Sequence, residues 1–228
     1  MDAPGGLDED EALAELCRGM APGLRRHAAA LALWRLRAPL LMLPPDPRQG
    51  LHRTLLEAVF RAVLLTPGEE AGRAGEDADA VAELLGTPFF TDPEEGEPDG
   101  ALAEVRLETL AELAAWRNAG GLGPEETERI IRLPRELSRT LDRITEDSPW
   151  DHPAAHAHAR HLATAPAGSG YHEARNRAVE AACRDLTAAL PPGAGLPGTA
   201  AGREALALCE TFSAELVSTL AWCTTIGR

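Results

Sequence analysis

PEETERIIRLPRELSRTLDRI, Pro124 to Ile144, decides the fold class. Ile130, Leu133, Leu137, Leu141 and Ile144 recur at three- and four-residue steps, which places them on one face of an α-helix; a strand would alternate every second residue. The period runs straight through Pro134, so the spacing predicts one kinked helix rather than two separate ones. On the opposite face stand Arg129, Arg132, Arg135, Arg139 and Arg143, within roughly 120° at about 100° per residue. Glu125, Glu128 and Glu136 share that sector, and Glu125 to Arg129 and Glu128 to Arg132 have the favourable i,i+4 orientation. The ridge therefore reads as a self-neutralised solvent face and not as an anion-binding surface.

The same period recurs along the chain. Asp8 and Glu11 have capping-box spacing at the start of a first helix that Gly19 ends. Pro22 starts a second, with Leu24, His27, Leu31, Trp34, Ala38 and Leu41 on its core stripe, a kink at Pro39 and a stop at Pro44-Pro45. Asp46-Pro47 launches a third through Leu55, Val59 and Val63, expected antiparallel to the second. A fourth lies near Asp77 to Leu85, and a fifth carries Leu102, Val105, Leu110, Leu113 and Trp116. Pro124 begins the sixth. The seventh is expected from Pro153 to Thr164, and the eighth from Tyr171 to Leu190 with Val179, Cys183, Leu186 and Leu190 facing the core. The ninth runs from about Gly202 to Thr225, its apolar face wide enough to suggest the most buried helix. No stretch alternates like a strand between hairpin turns. The expectation is all-α: a single compact multi-helix bundle of about nine helices over residues 1–228, mostly antiparallel neighbours and no β-sheet. Residues 1–6 are expected to be disordered, and 66–76, 86–99 and 191–201 to be loops.

Composition narrows the chemistry. All 22 basic residues are arginine, so lysine Schiff bases, lysine general bases and a P-loop lysine are excluded. The lack of lysine, with abundant Ala, Gly and Pro, points to a GC-rich, bacterial genome. A net charge of −14 would repel a polyphosphate, so neither nucleic acid nor an anionic membrane is an expected partner. No apolar run reaches the roughly 18 residues of a membrane span, and the N-terminus lacks a signal-peptide pattern, which gives a cytoplasmic expectation. Cys17, Cys183, Cys209 and Cys223 form no CxxC pair and read as buried reduced thiols.

Motifs that could carry chemistry are incomplete. Gly193-Ala194-Gly195-Leu196-Pro197-Gly198 spells GxGxxG, but the dinucleotide mechanism needs a preceding strand where this chain has a helix and Pro191-Pro192. Ser169 lacks both the first glycine and the strand of a nucleophile elbow. Phe89 and Phe90, in an acidic loop without the EF-hand pattern, are partner-docking candidates.

Ser148 to Arg177 holds His152, His156, His158, His161 and His172, five of the seven histidines, with Trp150 and the only tyrosine, Tyr171. Helix geometry keeps the first four from converging: His156 and His161 point about 140° apart. His152 and His156 have an i,i+4 metal spacing without the HExxH glutamate, and His27 or His52 would have to complete a site. His156, His172 and Glu173 are candidates for acid-base chemistry, and Trp34, Trp150, His152 and Tyr171 for a ligand pocket. No cofactor is expected, a metal ion at His27, His52, His152 and His156 being the fallback. The leading expectation is a binding protein for a small molecule or protein partner, able to form a homo-oligomer. The alternative is a metal-dependent or histidine acid-base enzyme on a helical scaffold.

Overall fold

A computed structural model describes residues 9–41, 60, 122–146, 156–157, 160, 163, 170–191 and 193–226. Five α-helices account for most of them: α1 (Glu9–Gly19), α2 (Pro22–Leu41), α3 (Pro124–Glu146), α4 (Tyr171–Thr187) and α5 (Ala200–Ile226). A 3-10 turn, Leu196–Gly198, precedes α5, and no strand occurs among the described residues. The expected third, fourth and fifth helices lie outside the described residues except Phe60. Of the seventh, His156, Ala157 and Arg160 have helical backbone.

Four helices form a ring in the order α2, α3, α4, α5, each packing on its two neighbours more extensively than on the helix diagonally opposite. Cross-helix contacts give the directions. Arg135 meets Glu180 while Arg139 meets Glu173, so α3 and α4 are antiparallel. Cys183 meets Cys209 while His172 meets Thr219, so α4 and α5 are antiparallel as well. In contrast, the Leu31 carbonyl faces Cys209 and the Ala38 amide faces Ser213, so α2 and α5 run parallel. It follows that α2 and α3 are also parallel, in keeping with Arg25 reaching the Leu122 carbonyl where both begin. Half of the neighbouring pairs in this ring of four are thus parallel, where mostly antiparallel neighbours were expected over about nine helices. Parallel neighbours need a long return connection, and residues 42–121 supply one between α2 and α3.

α3 keeps its period through Pro134, with Ile130, Leu133, Leu137 and Leu141 buried as the spacing predicts. The arginine face differs. Glu128 does pair with Arg132 along the helix, but Arg135 and Arg139 reach across to Glu180 and Glu173 of α4. Part of the supposed solvent face is a helix-helix seam, because long guanidinium side chains at the edge of a stripe can span to the neighbouring helix.

Of the described helices α2, and not α5, is buried all round. Ala29, Ala30, Leu31, Ala32 and Leu33 are buried in succession, so every side of the helix meets protein. On α5 the buried Ala205, Cys209, Phe212, Leu216 and Leu220 alternate with exposed Arg203, Glu204, Glu210 and Ala214, a single-faced pattern. The Ala/Leu run of α2 has little amphipathic contrast, and such a helix is buried all round. Phe60 packs edge-on against Trp34 at 6.0 Å, and α1 packs on α3 and adds Leu13 and Cys17 to the core.

α5 begins at Ala200, within the stretch read as a 191–201 loop, because Thr199 acts as its cap. The Thr199 hydroxyl accepts the Gly202 amide at 3.0 Å, and its carbonyl accepts the Arg203 amide. Gly202 also lets the 3-10 turn fold onto the helix, since an added Cβ would overlap the Leu196 carbonyl. Gly202→Ala should therefore destabilise by about 1–3 kcal/mol, despite alanine's better helix propensity. Urea unfolding at equal or higher stability than wild type would contradict the overlap.

Candidate functional site

Two buried polar clusters organise the ring. The first joins α3, α4 and α5. Asp142 sits where α4 begins, and its carboxylate accepts the backbone amides of His172 at 2.8 Å and Glu173 at 3.0 Å. Gly170, the N-cap residue, has no side chain to cap with, so Asp142 caps α4 from another helix. An added Cβ at Gly170 would overlap that carboxylate, which is why the approach is possible. Asp142 also bonds His172 Nδ1 at 2.9 Å, and His172 Nε2 lies 2.9 Å from the Thr219 hydroxyl. Burial pushes the Asp142 carboxyl up, but the His172 ring and the two amides more than offset it and leave the carboxyl below its ordinary value.

The acid, imidazole and hydroxyl stand in the order of a nucleophilic relay. They stand at the buried junction of α3, α4 and α5. His172 and Thr219 are each 1% exposed, and the cleft described below does not touch them. Both ring nitrogens of His172 are engaged. Glu173, the neighbouring acid-base candidate, is bound by Arg139 and Arg177, each at 2.8 Å; burial raises its carboxyl, and these two guanidiniums bring it below the usual value.

The second cluster surrounds Arg35, which is 2% exposed in the middle of α2. Its guanidinium donates to Asn176 Oδ1 at 2.6 Å and lies 3.6 Å from Glu180 Oε2. Arg135 binds the same carboxylate through two nitrogens, at 2.7 and 3.2 Å. Burial would raise the Glu180 carboxyl, but Arg35 and Arg135 hold it below its ordinary value.

Beside this cluster a narrow cleft, partly open to solvent, lies between the diagonal helices α2 and α4. Leu24, Ala28, Leu31 and Arg35 line it at helical spacing from α2, while Glu180, Cys183, Arg184 and Thr187 do so from α4. Leu16, Met20 and Ile131 close the apolar side. Diagonal helices stand farther apart than neighbours, and small Ala28 leaves the gap unfilled.

The residues singled out from sequence fall in several places. His27 is buried, with Nε2 2.8 Å from the Ala194 carbonyl, and it anchors the segment before α5. Trp34 is half-buried against Phe60 and carries Arg37 over its ring at 4.9 Å. Tyr171 stands edge-on to the His172 ring at 5.2 Å. None of these lines the cleft. His156 is exposed, and His52, Phe89, Phe90, Trp150 and His152 lie outside the described residues. Among the described residues no group of three or more His, Cys, Asp or Glu side chains is placed to hold a metal ion. No helix searched among them is long and apolar enough to cross a membrane.

Sequence reasoning missed Arg35, Asp142, Asn176, Glu180 and Thr219. Arg35 had a readable signal, a charge inside the apolar run Leu31 to Leu36, since a buried arginine demands a carboxylate partner. Asp142 and Thr219 had none, because each is an ordinary polar residue until three helices meet. Comparison of the chain with protein-family models, curated proteins and solved structures finds no match.

Proposed function

We propose that the protein binds a small, mainly apolar molecule bearing one acidic group in the cleft between α2 and α4. The single observation behind this reading is local charge. In a chain of net charge −14, the polar end of the cleft gathers the guanidiniums of Arg35 and Arg184 around Glu180, with Arg135 bound to the same carboxylate. Three cations against one anion favour an anionic head group. Leu16, Leu24, Leu31 and Ile131 suit an apolar body, and a few polar groups within an apolar concavity are what small-molecule sites require. Arg184 is the head-group contact, because Arg35 and Arg135 are already committed to Glu180.

Fluorescence titration with 8-anilinonaphthalene-1-sulfonate, an apolar body with one anionic group, tests this. Saturable one-site binding is expected. Ala28→Phe, which fills the gap, should weaken it more than about tenfold, or 1.4 kcal/mol. Arg184→Ala should weaken the sulfonate while leaving neutral N-phenyl-1-naphthylamine unaffected. Unchanged binding in Ala28→Phe would place the probe elsewhere and end the proposal.

A further inference from the structure

Cys183 and Cys209 face each other across the antiparallel α4–α5 seam with their sulfur atoms 3.5 Å apart, in van der Waals contact. Only Cys183 lines the cleft; Cys209 lies directly behind it, fully buried, with its sulfur also 3.5 Å from the Leu31 carbonyl. One thiol with a route to solvent and a second in contact behind it form an attacking and resolving arrangement. Arg35 and its partner Glu180 both share the cleft lining with Cys183, the guanidinium favouring a thiolate there and the carboxylate opposing it in part.

We propose that Cys183 and Cys209 are a redox-active dithiol that small hydroperoxides entering the cleft oxidise to an α4–α5 disulfide. The Cys183 thiolate attacks one peroxide oxygen, the O–O bond breaks, and the departing alkoxide or hydroxide takes up the proton that the thiol released. Cys183 is then a sulfenic acid. Cys209 sulfur attacks it, the S–O bond breaks, and the hydroxide leaves as water with the Cys209 proton. Two thiols and one hydroperoxide become one disulfide, one alcohol or water, and one water; the sulfur pair loses the two electrons that the O–O bond gains. A disulfide of about 2.05 Å requires the sulfurs to close by roughly 1.5 Å, a shift on the scale of a side-chain torsion rather than of a helix.

The surroundings support the assignment. The Cys209 thiol can donate to Cys183 sulfur, which together with Arg35 pulls the Cys183 thiol below its ordinary pKa despite burial and the nearby Glu180 carboxylate. Cys17 has the opposite environment: burial, then the Glu128 and Glu180 carboxylates, push its thiol up to about 11. It serves as an internal control. The inference uses the same cleft as the ligand reading but does not depend on any ligand binding there.

The test uses full-length reduced protein treated with hydrogen peroxide, quenched by alkylation in denaturant and mapped by mass spectrometry. The expected product is a Cys183–Cys209 linked peptide pair with two hydrogens lost, formed more than about tenfold faster than in urea-unfolded chain because contact replaces a chance encounter. Cys17 should remain alkylatable. In Cys209→Ser, dimedone should capture a sulfenic acid at Cys183. If this variant fails to fold, the wild-type measurement stands alone. Both thiols remaining alkylatable in the native protein, or linkage no faster than in the unfolded chain, would overturn the proposal.

Discussion

Asp142→Ala should lose about 3–5 kcal/mol of stability, the range for removing one partner from a buried charged network. One carboxylate accepts two backbone amides and the imidazole of His172. Alanine would strand all three donors where water does not reach, and leave the first turn of α4 uncapped. Its hydrogen-bonded side chain is only 8% exposed, so rehydration offers little relief. Asp142→Asn keeps one acceptor oxygen and should lose less. Urea unfolding followed by circular dichroism measures both, and an alanine variant within 1 kcal/mol of wild type, on the scale of a surface change, would show that the node does not hold the helices.

The same carboxylate makes stability depend on acid. Its folded-state pKa lies below the ordinary value, so its contribution is complete above the unfolded pKa of about 3.9 and is lost as pH falls through the folded value. Glu173 and Glu180 are lowered likewise and act with the same sign. The protein should therefore lose stability below about pH 4, and Asp142→Asn should flatten part of that slope.

Glu180→Ala should be about as damaging, again 3–5 kcal/mol, because it leaves the 2%-exposed Arg35 as an uncompensated buried cation. Arg135, 17% exposed, can turn toward water, whereas Arg35 in the middle of α2 cannot. Removing both charges should be milder than removing one. The double variant Arg35→Met, Glu180→Leu should regain part of the stability that Glu180→Ala loses, because apolar replacements need no desolvated partner. A double variant less stable than Glu180→Ala would mean that Arg35 stabilises through packing or Asn176 and not through the ion pair.

How much of this was legible depends on whether a residue's neighbours lie on its own helix. The apolar stripe of α3 could be read through Pro134 because its period survives in the sequence, and the start of α2 at Pro22 could be read because proline suits a first turn. The Arg139–Glu173 pair could not. The sequence offers Arg139 two carboxylates at helical spacing, Glu136 and Asp142, and only the α3–α4 seam selects one from another helix. The kinship of Cys183 with Cys209 was invisible for the same reason: no local spacing relates residues on different antiparallel helices. Of the site expected around the histidine-rich segment, Trp150 and His152 lie outside the described residues, His156 is exposed and His172 is buried, while Arg35 and Glu180 line a cleft that no sequence motif pointed to. Of that segment's histidines, His172 became a buried joint because Asp142 and Thr219 close on both of its nitrogens.

The amino-acid sequence by itself determined that the described chain is helical, where several of its helices begin, and which reactions a lysine-free protein forgoes. These are properties of periodicity, capping and composition, each settled within a few residues of chain. The tertiary structure alone decided which helices are parallel, that α2 is buried on every side, that Asp142 caps a helix it does not belong to, and that a cleft opens between α2 and α4. Those follow from long-range packing, in which buried charges must find partners and gaps open where small side chains meet.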